Sequence, residues 1–298
     1  MEMTKSAPAV VRATQVLDYL AARPVQPLSM TEIAEAIGVN PASTLAILQA
    51  LTEAGYIVRH PRHKTYSIGP SLLITGHAAR MRFEIADVVD AEVKQLATAF
   101  GTACTGSMIA GEDVAVIASY GRSPSGGSYQ VGQRIRLSAP AGLVFMAWAP
   151  DADVRQWLLR ATPVITDELW DGMQTMLAGI RTQGYFASVH SDRVDKFYMQ
   201  FGEAASQGSV GEKRDIIQSM LAALLARMGE PIDFSEPRRI GFLGAPVFNA
   251  EGEVAVMLSV LGTPDSLTET EVTDAGNRLR YSADHITSIT HGRQGAST

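Results

Sequence analysis

Apolar residues in the first seventy positions recur at helical spacing, and each run is closed by a capping or turn residue. From Ala9 to Ala22, Val10, Ala13, Val16, Leu17 and Leu20 share one face, which predicts an amphipathic helix ended by Pro24 and Pro27. Ser29 and Glu32 form a capping box, so a second helix starts at Met30, with Ile33, Ala34 and Ile37 inward and Gly38 as its stop. Asn40 caps a third helix and Pro41 fills its first turn, where a missing N–H costs nothing. Leu45, Leu48 and Leu51 are expected to bury that helix, and Gly55 ends it. Tyr56–Val58 then reads as a strand, Arg59–Lys64 as a basic tip, and Thr65–Ile68 as a return strand. Helix, turn, helix and two-stranded wing make a winged helix-turn-helix, a fold that lays its second helix in the DNA major groove.

Two further helices are predicted, Ser71–Arg80 and about Glu84–Phe100, the latter with Ile85, Val88, Val89, Val93 and Leu96 inward. Beyond Gly101 the rhythm changes. Thr102–Ala110 and Val114–Ser119 are β-rich runs hinged at Gly111-Glu112-Asp113, and Tyr129–Leu137 holds another strand. Ala141–Trp148, Asp151–Arg160 and Leu169–Gln183 read as helices, and Gly184–His190 as a strand. Arg239–Phe248, a turn at Asn249–Gly252 and Glu253–Leu261 form a strong hairpin before a terminal helix, about Thr268–His291. The body is therefore α+β, an antiparallel sheet with helices packed on it. The expected organisation is a tail (1–8), a winged-helix domain (9–70), linker helices (71–100), a body (101–292) with an inserted helical segment at about 191–236, and a second tail (293–298).

Composition adds a charge contrast. The net charge of −6 over 298 residues argues against nucleic acid, but its distribution does not. Through Arg80 the chain has seven Lys/Arg against five Asp/Glu, whereas the remainder has 18 against 26. A slightly basic head on an acidic body suits a nucleic-acid module joined to a second function. No apolar h-region opens the chain and no apolar run reaches membrane-spanning length, so a cytoplasmic protein without membrane contact is expected. The single cysteine, Cys104, allows no internal disulfide and fits a small apolar core residue.

Taken together, LSMTEIAEAIGVNPASTLAILQALTEAGYI and YSIGPSLL in the head, and SAPAGLVFMAWAP, IRTQGYFASV and GFLGAPVFNAEGEVAVMLSVLG in the body, resemble the isocitrate lyase regulator (IclR) family of bacterial transcription factors. The resemblance covers nearly the whole chain. It implies a winged-helix head, a GAF-like effector domain, a homodimer or dimer of dimers, and operator affinity controlled by a small metabolite. Three departures stand out. Ala42 and Ile47 replace basic residues common on the recognition helix, Ser188-Val189-His190 replaces an acidic stretch, and the segment before the last hairpin is much longer.

Candidate DNA contacts follow from the head. Ser43 and Gln49 can hydrogen-bond base edges, Ala46 can touch thymine methyls, and Thr44 lies within reach of a phosphate at the helix start. Arg59, Arg62, His63 and Lys64 on the wing, and Arg12 on the first helix, suit phosphates. For the effector, the resemblance implies contacts from Pro140, Ala141, Gly142 and Leu143 at a helix start, and from Ser188, Phe242, Ser259 and Leu261 on strands. With Phe242 and Leu261 apolar, an aromatic or other bulky organic acid is expected.

The sequence contains no Walker loop, dinucleotide fingerprint, G-x-S-x-G elbow or HExxH motif, and neither cofactor nor metal is expected. The predicted function is a non-enzymatic, ligand-responsive regulator, a repressor of a catabolic operon acting on a pseudo-palindromic operator. The alternative is a metabolite-sensing or interaction module whose recognition helix has lost sequence-specific DNA binding.

Overall fold

A computed structural model of the protein describes residues 7–82, 85–124, 129–190 and 232–294. Most of the inserted helical segment expected at about 191–236 lies outside them. The chain divides into two compact units, residues 1–84 and 85–298.

In the first unit, α1 (Pro8–Ala21), α2 (Met30–Ile37) and α3 (Pro41–Glu53) enclose a core of Val16, Leu20, Ile33, Leu48, Ile57 and Tyr66. The capping box at Ser29 is formed: its backbone N–H donates to Glu32 Oε2 at 2.7 Å, and its Oγ accepts from the Glu32 N–H at 3.3 Å. Gly38 closes α2 at φ 65°, the left-handed conformation that only glycine adopts without strain. Asn40 Oδ1 accepts from the Ser43 N–H at 2.9 Å and starts α3. The wing has one more strand than the sequence suggests. β1 (Leu28–Ser29) pairs with β3 (Thr65–Ile68), which pairs on its other edge with β2 (Ile57–Arg59). Two residues of extended chain carry no periodicity, so only pairing reveals β1. The unit ends with α4 (Ser71–Arg82).

Two helical assignments change. Leu45, expected inside, is 40% exposed, whereas Thr44 is fully buried. Residues spaced by three lag the helical turn, so Leu45 and Leu51 point about 120° apart and cannot both face one core. Val10 is likewise exposed at the open end of α1.

The second unit begins with α5 (Ile85–Phe100) and builds an antiparallel sheet. Its strands are β4 (Ala103–Ala110), β5 (Asp113–Tyr120), β6 (Arg134–Arg136), β7 (Phe186–Val189), β8 (Arg238–Phe248), β9 (Val254–Leu261) and β10 (Ser266–Leu267). The order is β10-β8-β9-β4-β5-β6, with β7 also on β8. Alternation along β9 divides the core into two. Val256, Leu258 and Val260 face α5 and α9 (Glu269–Ile289), meeting Val89, Val93, Leu279 and Ile286. Met257 faces the opposite layer of α6 (Leu143–Met146), α7 (Asp151–Leu159) and α8 (Asp167–Gln183), which supplies Phe145, Trp157, Met173 and Leu177. The helix expected over Ala141–Trp148 is thus a single turn, with Pro140 and Pro150 bracketing it. Among the described residues no helix is long and apolar enough to cross a membrane.

Candidate nucleic-acid interface and effector face

On α3 the side chains sort cleanly by burial. Thr44 and Leu48 are sealed inside, while Ala42, Leu45, Ala46, Gln49, Ala50 and Glu53 are exposed on the opposite face. Of the four candidates on this helix, Ala46 and Gln49 lie on the outward face and Ser43 is half-buried at its edge. Thr44 is different. Its hydroxyl is turned back onto the carbonyls of Asn40 (3.1 Å) and Val39 (3.4 Å), so it anchors the helix start and offers nothing to a phosphate. Leu45 is the outward residue that sequence spacing missed. The signal was the helical angle, which puts it beside Ala42, Ala46 and Gln49.

The wing tip is a closed turn. The His60 N–H donates to the Thr65 carbonyl at 2.7 Å and the Lys64 N–H to the His60 carbonyl at 3.0 Å. The His63 N–H donates to His60 Nδ1 at 3.2 Å, with the two rings 4.6 Å apart, and Lys64 takes φ 54°. Arg59, Arg62, His63 and Lys64 are all exposed on this short, braced loop, and Arg12 is exposed on α1. None of these five forms a salt bridge among the described residues. Unpaired cations on a rigid turn can meet phosphates without first breaking an internal ion pair.

In the second unit, strand register assembles four candidates. Ser188 pairs with Phe242, and Ser259 stands opposite Gly244 on one side and Thr105 on the other. With Leu261, they face the layer that holds α6. Ser259 is 1% exposed, and its Oγ has no hydrogen-bond partner among the described residues. Buried hydroxyls are almost always satisfied, so an orphan on a sheet face marks a place where a ligand can complete the bonding. Apolar surface surrounds it. The Phe186 and Phe242 rings lie 6.2 Å apart, and a methyl group built on Gly244 would come 2.7 Å from the Phe242 ring and 3.1 Å from Val144 on α6.

Pro140, Ala141, Gly142 and Leu143 form the turn into α6. The Ala141 carbonyl is occupied by the Trp157 indole N–H at 2.7 Å, and Gly142 takes φ 86° with Leu137 packed against it. α6 is a single turn, and a one-turn helix sums few peptide dipoles, so this helix start offers little macrodipole to an acidic effector. Cys104 lies on the other side of the sheet, and burial pushes its thiol pKa up to about 12, which leaves it a core residue without nucleophilic character. No cluster of three or more metal-ligating side chains exists among the described residues.

A winged helix with outward cations is a DNA-binding fold, and here it is joined in one chain to a separate α/β unit. The model of the IclR helix-turn-helix domain matches residues 9–61. The chain is 26% identical over 183 residues to the HTH-type transcriptional regulator XynR of Escherichia coli, spanning 59% of this chain and 72% of XynR. The structure of an IclR transcriptional regulator from Alicyclobacillus acidocaldarius superposes with TM-score 0.65 at 23% identity, covering 96% of this chain and 99% of the other. An IclR homolog from Microbacterium hydrocarbonoxydans, solved in complex with 4-hydroxybenzoate, superposes with TM-score 0.59 at 13% identity, covering 94% and 99%. Residues 9–61 thus carry an IclR-type helix-turn-helix domain, and the two solved structures share the fold of nearly the whole chain.

Proposed function

We propose that the protein represses a catabolic operon as a homodimer, and that a small aromatic acid bound on the α6 side of the sheet shifts its affinity for a pseudo-palindromic operator. The observation that carries this reading is the orphaned Ser259 hydroxyl, buried on the same sheet face as Phe186 and Phe242. Aromatic walls around a few polar groups are the usual makeup of a small-molecule site, where apolar area gives affinity and the polar groups give orientation. The ligand found in the Microbacterium homolog, 4-hydroxybenzoate, is of this chemical class.

A homodimer is supported by α4, where Leu73, Ile74 and Met81 are 77%, 74% and 69% exposed. Three large apolar side chains on one exposed helix favour a partner surface. Two copies would present two recognition helices to half-sites one or more helical turns apart. The effector shifts operator affinity only to the extent that it binds one arrangement of the dimer more tightly.

Fluorescence anisotropy of a labelled duplex from the region upstream of the protein's own gene tests the reading. Saturable binding that outcompetes random DNA, released by benzoate or 4-hydroxybenzoate, is the expected result. Binding unchanged by an aromatic-acid panel rejects the effector assignment, and salt-sensitive binding without sequence preference favours an interaction module.

A further inference from the structure

The outward face of α3 carries almost no charge. Ala42, Leu45, Ala46, Gln49, Ala50 and Glu53 are exposed in one stripe, and the only ionic group among them, Glu53, is the last residue of the helix. Helix-turn-helix proteins touch base edges with the first part of this helix, so Glu53 stands away from the contact. Cations lie on other elements of the unit, among them Arg59, Arg62 and Lys64 on the wing and Arg12 on α1. Affinity and readout are thus assigned to different elements.

Each base pair asks for different chemistry in the major groove. Guanine presents two acceptors that call for Arg or Lys, and this face offers neither. Adenine presents an acceptor and a donor together, matched by the two ends of a glutamine amide, and thymine presents a methyl group matched by apolar side chains. Gln49 follows Leu45 by four residues and Ala46 by three, so the amide and the two apolar groups form one contiguous patch. Leu45 is the largest apolar member of that patch and is 40% exposed.

We infer that this recognition helix reads A·T pairs, with Gln49 on adenine and Leu45 and Ala46 on thymine methyls, and that Leu45 is the principal specificity determinant. The inference rests on the reading of the chain as a sequence-specific DNA binder. Methyl readout makes a specific demand. Replacing thymine by uracil deletes the group being read and leaves every hydrogen-bonding edge in place.

The test selects duplexes from a random library with the full-length protein, then remakes the enriched site with dU in place of dT. A·T pairs are expected at the half-site positions, and the dU duplex is expected to bind wild type about three- to tenfold more weakly. That penalty should shrink in Leu45→Ala, which leaves only Ala46 on the methyls, and persist in full in Arg62→Ala, which binds both duplexes more weakly. Enrichment of G·C half-sites, or an equal dU penalty in wild type and Leu45→Ala, overturns the inference and leaves sequence-specific binding standing. Failure to enrich any site over random DNA overturns that underlying reading, and the inference with it.

Discussion

Ser259 on β9 is paired directly with Gly244 on β8, so a buried hydroxyl with no partner among the described residues sits beside a residue with no side chain to cover it. Phe242 and α6, through Val144, close over the glycine instead. Small next to polar, with aromatic rings at the edge, is an arrangement that packing alone does not call for.

Removal of that hydroxyl separates a binding role from a structural one. Ser259→Ala deletes a buried group that has no partner among the described residues, so the folded protein should gain about 1 kcal/mol. Affinity for an aromatic acid that binds wild type should fall about tenfold if the hydroxyl is worth one net hydrogen bond to the ligand. Urea unfolding and ligand titration read the two effects; a variant that is less stable and binds normally would make Ser259 a packing residue.

Gly276 poses a contest between helix propensity and packing. Within α9, replacing glycine by alanine should add about 1 kcal/mol of helix stability. The new methyl group, however, overlaps the buried Tyr185 ring. Overpacking costs about 1–3 kcal/mol, so Gly276→Ala is expected to lower the melting temperature despite the better propensity. A raised melting temperature would mean that Tyr185 moves aside freely.

Wing cations should act on all DNA alike. Arg62→Ala is expected to weaken binding to a selected site and to random duplex by the same factor, and to reduce the log–log salt slope by about 0.9. Anisotropy titrations across a salt series measure this, and an unchanged slope would remove Arg62 from the phosphate contacts.

The start of α9 gives a pH dependence with a defined sign. Glu271 accepts from the Thr268 backbone N–H at 2.8 Å, and the Thr268 backbone and hydroxyl bonds hold its pKa below the ordinary 4.5. A carboxylate whose folded value is lowered contributes stability above its unfolded value, and that contribution is lost as pH falls through the folded value. Glu271→Gln should therefore be less stable than wild type at neutral pH and equal to it in acid, below the lowered folded value. Urea midpoints at the two pH values check this. A difference that survives at low pH would place the effect outside the carboxylate.

Much of the head was legible in the sequence because its signals are short-range. Ser29 with Glu32, Asn40 with Pro41, and Gly38 act within about four residues, and each makes the cap or turn its chemistry requires. The hairpin of β8 and β9 was equally plain, since alternating apolar runs flank Asn249–Gly252. By contrast, Leu28–Ser29 became a strand only because β3 lies alongside it, and α6 shrank to one turn between Pro140 and Pro150.

Local propensity, then, decided where the capped helices and the long hairpin begin and end, and the family resemblance pointed to the class. Tertiary structure decided which way the side chains point. Whether Leu45 or Thr44 enters the core depends on where α1, α2 and the wing sit around α3, a choice worth about 100° of rotation that spacing by three cannot fix. Likewise, Ser259 meets Gly244 only through the register of two long strands, and a slip of one residue would send it to the opposite face of the sheet.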